Sequence, residues 1–503
     1  MKNRLLLIFL TVLNLSGMAQ KKPNIVIITV DDVGYFDLSC YHKGLASYKT
    51  PNIDRIAKEG RMITDYYAQP SCTPGRAALI TGQYPIRTGL TSVGQPGQKI
   101  GLHKEDPTLA ELLKPHGYKT ALFGKWHMGD RNEYLPTNHG FDEFFGLMYH
   151  LNLMEMPEQA EFPKNPNYPG RPRNMVHSWA TNTDDTSEDP RWGLVGKQKI
   201  EDAGQLTRKR MEEIDEEFLA HSEEWLEANK EEPFFLWFNP SRMHQATHVG
   251  DKWRGQSGMS EYADGLIQLD WIVGQLLDKI KAIGQEENTI VMFSSDNGVN
   301  MSHWPDAGTG AFRGEKGTTW DGGFRVPMLV KWPAKIPPNT YTGEFMTSED
   351  WVPTIMAALG EDNLKSELMA GKNGYKVHLD GYNQLAMLTS EAPSERHEFF
   401  YYAETEMTAF RVNQWKVHTA VKDEWLKAPE KLDGGLLVNI KLDPFEKSPE
   451  SKGHFLWMKE KSWILPVFVP HLRYHQKSLA QFPPRQSGAG IGAATILGGK
   501  KKN

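Results

Sequence analysis

The stretch Asn24-Ile25-Val26-Ile27-Ile28-Thr29-Val30-Asp31-Asp32 sets an unbroken β-branched run against two adjacent carboxylates. A run of this kind, without polar alternation, reads as a strand buried on both faces. Three further runs end in a similar way. Thr120–Phe123 stops at Gly124-Lys125-Trp126-His127, Phe234–Phe238 at Asn239-Pro240-Ser241-Arg242-Met243-His244, and Thr289–Phe293 at Ser294-Ser295-Asp296-Asn297-Gly298. Helical patterns lie between them. Asp106-Pro107 opens one, with Leu109, Leu112 and Leu113 on its apolar face and Gly117 closing it. Met211, Ile214, Phe218 and Trp225 mark a second, and Tyr262 to Ile280, ending at Gly284, a third. Strand–helix alternation predicts an α/β fold with a large, mostly parallel sheet covered by helices on both faces. Ligands bind such sheets beyond the carboxyl ends of the strands.

Those ends carry the chemistry. Asp31, Asp32, Asp296 and Asn297 form an all-oxygen set suited to a hard cation, Ca²⁺ or Mg²⁺. Asp and Asn also favour strand ends as turn residues, which is the plainer reading of either pair alone. Two pairs after matching apolar runs favour the cation.

Cys72, one of only two cysteines, opens Cys72-Thr73-Pro74-Gly75-Arg76, with a helix expected to run on to Gly82. The backbone N–H groups of a helix start favour an anion, and Arg76 adds a bidentate donor. Lys125, His127, His244 and Lys316 supply further charge, although each taken singly also reads as a salt bridge or a hydrogen-bonded core histidine. Together they suit an anionic ester whose central atom is attacked while its oxygens stay clamped. A disulfide between Cys40 and Cys72 is the alternative for the two thiols.

Composition narrows the class. Lys plus Arg is 57 against 63 Asp plus Glu, a net charge of −6, so the basic footprint of a nucleic-acid binder is missing. Lys2 and Arg4 before the apolar Leu5–Leu15 run, with small residues near Ala19, predict a secretory signal peptide over 1–19 and a periplasmic or secreted protein without a stable membrane anchor. The catalytic domain is expected over 20–360, with an irregular insertion at 150–205 near the substrate mouth. Short antiparallel strands near Glu398–Ala403, Thr408–Val412 and Trp415–His418 predict a smaller C-terminal domain over 361–486, followed by a flexible tail over 487–503.

These residues carry a resemblance. Cys72-Thr73-Pro74-Gly75-Arg76 with Leu79 and Thr81-Gly82 resembles the signature of the type I sulfatases, in which C-x-P-x-R directs conversion of the cysteine to formylglycine. Val30–Gly34, Gly124–His127, Ser294–Gly298, Phe312–Gly317 and Trp320–Pro327 resemble other family segments, covering about residues 24 to 335 in family order. Gly75 departs from the commoner Ser or Ala, and Ser241–His248 lacks the frequent proline-histidine wording.

The resemblance implies an alkaline-phosphatase-like fold and hydrolysis of an aryl or carbohydrate sulfate ester. It implies a Ca²⁺ ion held by Asp31, Asp32, Asp296, Asn297 and the modified Cys72, whose hydrated aldehyde is the nucleophile. Arg76 and Lys125 would orient that hydrate and bind sulfate, His127 would remove its second proton, and Lys316 with His244 would assist the leaving alcohol. Partners would be a sulfated small molecule or glycan and a formylglycine-generating maturation enzyme. Two other readings are a formylglycine-dependent phosphonate or phosphodiester hydrolase, and a non-catalytic protein that binds sulfated glycans.

Overall fold

The computed structural model describes residues 21–488 apart from 246, 307, 309 and 311. The leader over 1–19 and the tail beyond 488 lie outside the described residues. The four expected strands are present as β1 (Asn24–Val30), β3 (Lys119–Lys125), β7 (Phe234–Asn239) and β8 (Thr289–Ser295). The first, third and fourth of these apolar runs (β1, β7 and β8) are buried along their whole length, as unalternating sequence requires.

The other strands of the main sheet are β2 (Arg61–Tyr67), β4 (Glu143–Leu147), β5 (Val176–Asp189), β6 (Gly193–Asp202), β9 (Met328–Lys331) and β10 (Thr340–Thr347). Ten strands lie in the order β10-β2-β9-β8-β1-β7-β3-β4-β5-β6. The centre, β8-β1-β7-β3-β4, is parallel throughout. Antiparallel pairs enter toward both edges, so the sheet is mixed, although the edge strand β10 again runs parallel to β2.

Register brings the functional ends together. Val30 pairs with Ser295, Ile28 with Phe238, and Gly124 with Asn239, so the residues after four strands emerge at one edge of the sheet. The helices α1 (Cys72–Thr81), α2 (Ile214–Asn229), α3 (Glu261–Ala282) and α4 (Trp351–Ala358) pack around this sheet. Ser260 caps α3 by accepting from the Ala263 amide, and Glu261 and Asp264 complement the positive end of its dipole. Gly82 ends α1 at φ 66°, in the left-handed region that a side chain resists.

Two domain expectations change. Residues 150–205 are irregular only in part, chiefly between residues 156 and 175. After a short helix (Leu151–Glu155) they form the long β5–β6 hairpin, which extends the main sheet at its β4 edge. Most of β5 is solvent-exposed, so no apolar alternation marks it in sequence. The boundary at 360/361 is also displaced. Leu364, Leu368, Val377, Leu379, Met387 and Leu388 belong to the main core, and the separate four-stranded sheet begins only at Glu398. The fading of parallel pattern after Pro353 marks the last sheet strand, not the last core residue.

The small sheet contains β11 (Glu398–Ala403), β12 (Glu406–Val412), β13 (Trp415–Val421) and β14 (Glu430–Asn439), all antiparallel, with α5 (Leu465–Gln481) packed against it. Rings of Phe399, Phe400 and Tyr401 pack against Tyr67, Tyr84, Phe324 and Phe345 of the larger unit. A buried network crosses the same boundary. Lys416 Nζ lies 2.8 Å from Asp321 Oδ1 and 2.9 Å from Glu446 Oε1, and the Tyr67 hydroxyl donates to Asp321 Oδ2 at 2.6 Å.

Glu349, between β10 and α4, is fully buried and accepts from Gln69 Nε2 at 2.6 Å. Burial pushes its carboxyl up to about 7, against the pull of Arg396. A carboxyl raised in the folded state favours folding most below its unfolded pKa and loses that contribution as pH rises through the folded value. Wild-type protein is therefore expected to lose stability relative to Glu349→Gln between about pH 4.5 and pH 7, by on the order of 2 kcal/mol. Urea unfolding across that range checks it, and parallel pH profiles would refute it.

Candidate active site

Backbone hydrogen bonds join the loops beyond the strand ends. The Asp31 amide donates to Arg242 O at 3.0 Å, and the Asp296 amide donates to Val30 O at 3.2 Å. The Lys316 amide donates to Val299 O at 2.9 Å, and that of Gly317 to Pro70 O at 2.7 Å, which brings a loop distant in sequence beside the start of α1. Asp32 and His127 sit at φ 57° and 61°, a left-handed conformation that costs non-glycine residues on the order of 1–3 kcal/mol and tends to mark functional positions.

All ten expected residues are buried, and they meet here. Cys72 is the first residue of α1. One turn later, Arg76 Nη2 lies 2.8 Å from Asp296 Oδ2 and 3.5 Å from Asp31 Oδ2, while Nη1 donates to Lys125 O at 3.2 Å. Lys125 Nζ pairs with Asp31, and Lys316 Nζ with Asp32. A Cβ at Gly75 would come within 1.9 Å of Asp296 O. The glycine that departs from the family pattern thus lets α1 lie directly against the end of β8.

The carboxylates fit a cation. Asp31 Oδ1, Asp32 Oδ2, Asp296 Oδ2 and Asn297 Oδ1 are all buried without a hydrogen-bond partner among the described residues. The contact of Asp296 Oδ2 with Arg76 is close enough for an ion pair but lies off hydrogen-bond geometry. Asn297 Nδ2 donates to Asp32 Oδ1 at 2.7 Å and to Gly298 O at 2.8 Å, which fixes the amide so that its oxygen is left over. The three aspartates offer oxygens within 4.8 Å of one another. Four oxygens free of hydrogen bonds, three from acids, are the donor set a hard divalent ion takes.

Burial opposes the charge of Asp31, but Lys125 and Arg76 outweigh it and hold its carboxyl well below the usual range. Burial, with repulsion from Asp31, pushes Asp296 up to about 6. Burial pushes the Cys72 thiol up to about 11 despite Lys125 and Lys316, so the unmodified thiol is protonated at neutral pH and a poor nucleophile. Cys40 and Cys72 are both free, which excludes the disulfide alternative.

His244 Nδ1 lies 3.0 Å from Gln245 O and donates to it, which leaves Nε2 as an acceptor, 3.9 Å from Asp32 Oδ2. Burial and then Lys316 keep this imidazole neutral. The loop that carries His244 is anchored through Asp215 of α2, which accepts from the Ser241 amide and hydroxyl at 2.7 and 2.8 Å and from Arg242 Nη1 at 2.7 Å. His248 turns elsewhere, with Nε2 2.7 Å from Glu155 Oε2. Sequence reasoning missed His150, whose ring stacks on His244 at 5.2 Å and meets His127 edge-on at 5.6 Å. Its only sequence signal is its place just before the short helix at Leu151.

A cavity of about 490 Å³ opens over this cluster. Cys72, His150, His244 and Lys316 line it, whereas Arg76, Lys125 and His127 do not. Arg76 and Lys125 are thus partners of the buried carboxylates rather than part of the cavity wall. A larger cavity of about 580 Å³, lined by Lys164, Arg171, Arg173, Arg191 and Trp192, contains none of the ten residues.

A family model described as Sulfatase matches residues 23–361. The chain is 33% identical over 417 residues to arylsulfatase A of Homo sapiens, covering 80% of this chain and 76% of that one. It superposes on the PsFucS1 sulfatase from Pseudoalteromonas sp. with a TM-score of 0.79 at 28% identity, covering 93% of this chain and 92% of the other. It also superposes on Ps i-CgsB in complex with k-i-k-neocarrahexaose with a TM-score of 0.69 at 26% identity, covering 95% and 96%.

Proposed function

The chain belongs to the sulfatase family, as a type I sulfatase of the alkaline phosphatase superfamily that hydrolyses sulfate esters, and we propose that it does so with a formylglycine made from Cys72 and a Ca²⁺ ion held by Asp31, Asp32, Asp296 and Asn297. The observation that carries this reading is the set of four buried oxygens without a hydrogen bond, gathered at two strand ends beside Cys72. When bound, the cation and the hydrated aldehyde supply an acidified hydroxyl for attack at sulfur.

The remaining work falls to this chain's own side chains. Arg76 and Lys125 neutralise Asp31 and Asp296 from behind, which keeps three acids together at the sheet edge. Asp32 keeps Lys316 charged against the cost of burial, so Lys316 can hold a sulfate oxygen and donate a proton to the leaving alcohol. The neutral His244, with Nδ1–H committed to Gln245 O, accepts through Nε2 and orients the ester oxygen. His127 is neutral, and both its ring nitrogens lack hydrogen-bond partners among the described residues, which leaves it able to accept a proton beside the start of α1, where Thr73 Oγ1 donates to His127 O.

The substrate is a sulfated small molecule or glycan, and a formylglycine-generating enzyme matures Cys72. Export to the periplasm or beyond follows from the leader-like pattern of residues 1–19. No helix among the described residues is long and apolar enough to cross a membrane.

The test is sulfate release from a panel of aryl and saccharide sulfates by protein matured with such an enzyme, compared with Lys316→Ala. Loss of this cavity-facing cation is expected to lower kcat by about a hundredfold or more. A Lys316→Ala variant with wild-type kcat would remove Lys316 from the reaction.

A further inference from the structure

The cavity has one wall that neither the metal cluster nor the reacting groups supply. It comes from the small C-terminal sheet, through the loop between β13 and β14. Trp425 stands on this loop, half-buried, and lines the cavity with Lys316 and Cys72. Its position is built. The Lys422 amide donates to Thr319 Oγ1 at 2.9 Å, the Thr319 amide donates back to Lys422 O at 3.2 Å, and Trp320 Nε1 donates to Asp423 Oδ1 at 2.6 Å. The loop is therefore pinned to the segment that carries Lys316. Gly317, at φ 79°, leaves room for the indole, since a Cβ there would come within 2.8 Å of the Trp425 ring. Lys316 Nζ lies 5.0 Å from the centre of that ring.

Around the indole the cavity lining sets apolar Leu426 and Val93 beside polar Asn300, Ser302, Gln245 and Glu315. One flat apolar wall beside a set of hydrogen-bonding groups matches a pyranose, which has an apolar C–H face and a rim of hydroxyls. Building on the sulfatase reading of the site, we propose that Trp425 determines specificity by taking the C–H face of a sulfated pyranose while the sulfate lies at Lys316. The C-terminal sheet thus completes the substrate site.

The test uses matured full-length wild type, Trp425→Ala and Trp425→Phe, assayed on sulfated monosaccharides with inorganic sulfate as competitive inhibitor. Trp425→Ala is expected to raise KM for the saccharide sulfate by about tenfold and to leave kcat and the inhibition constant of sulfate within about twofold. Trp425→Phe, which keeps an aromatic face, is expected to retain most of the wild-type KM. The proposal is overturned if Trp425→Ala keeps the wild-type KM, or if sulfate inhibition weakens in step with KM, since the ring would then act through Lys316. It is also overturned if the wild type cleaves aryl or steroid sulfates but no saccharide sulfate, a result that leaves the sulfatase reading standing. Sulfate release from none of these esters would instead refute the sulfatase reading, and this proposal with it.

Discussion

Cys72→Ala is expected to release no measurable sulfate from any ester the matured wild type cleaves, a loss of about ten-thousandfold or more in kcat. The side chain that remains has no atom to attack sulfur, and no neighbour can replace it. Lys316 and Lys125 are tied to Asp32 and Asp31, and the histidines lining the cavity are neutral acceptors without a hydroxyl. The fold should survive, because Ala is a good residue for the first turn of α1 and the Cys72 thiol takes part in no disulfide. Sulfate release with circular dichroism on the same preparation separates the two effects. Mass analysis of the wild-type peptide holding Cys72 should show the aldehyde. Full activity from a peptide that retains its thiol would refute the nucleophile assignment, as would a folded, active Cys72→Ala.

Removal of the divalent ion should have an effect of similar size. Asp31, Asp32 and Asp296 bring like charges within 4.8 Å in a buried site, and the three cationic side chains around them leave one oxygen of each acid without a hydrogen bond. An ion on those oxygens relieves that cost and stabilises the folded state in proportion to its occupancy. Treatment with a chelator is expected to abolish sulfate release and lower the melting temperature, with both restored by Ca²⁺. In Asp296→Ala the Ca²⁺-dependent rise in melting temperature should be lost. Activity that persists in protein shown by elemental analysis to be free of metal would refute the metal assignment, whatever the variant does.

Much of this site is legible in sequence because parallel β-strands write their ends plainly. A strand buried on both faces must be apolar until it leaves the sheet, so the polar residues that follow it are conspicuous. That is why Asp31, Asp32, Lys125, His127, Asp296 and Asn297 could be named before the register of β1 with β8 and of β3 with β7 was seen. The helix start at Cys72 was equally plain, through Pro74 and the left-handed Gly82. His150 and Trp425 were not. Each belongs to a segment whose local pattern is silent, a short helix after β4 and an exposed loop between antiparallel strands, and each reaches the site only through long-range packing.

Hydrophobic pattern and residue chemistry therefore determined by themselves the central parallel strands, the start of α1, and the gathering of acids, lysines and histidines at one sheet edge. These are local consequences of burial and of backbone geometry. Only the tertiary structure decided which cations face the cavity and which stand behind the carboxylates, why Gly75 is needed against Asp296, and that the β13–β14 loop closes the substrate wall. Those facts depend on which distant segments share a boundary. The chain settles that through register, side-chain packing and buried charge pairing summed over the whole core, quantities that no short stretch of sequence carries.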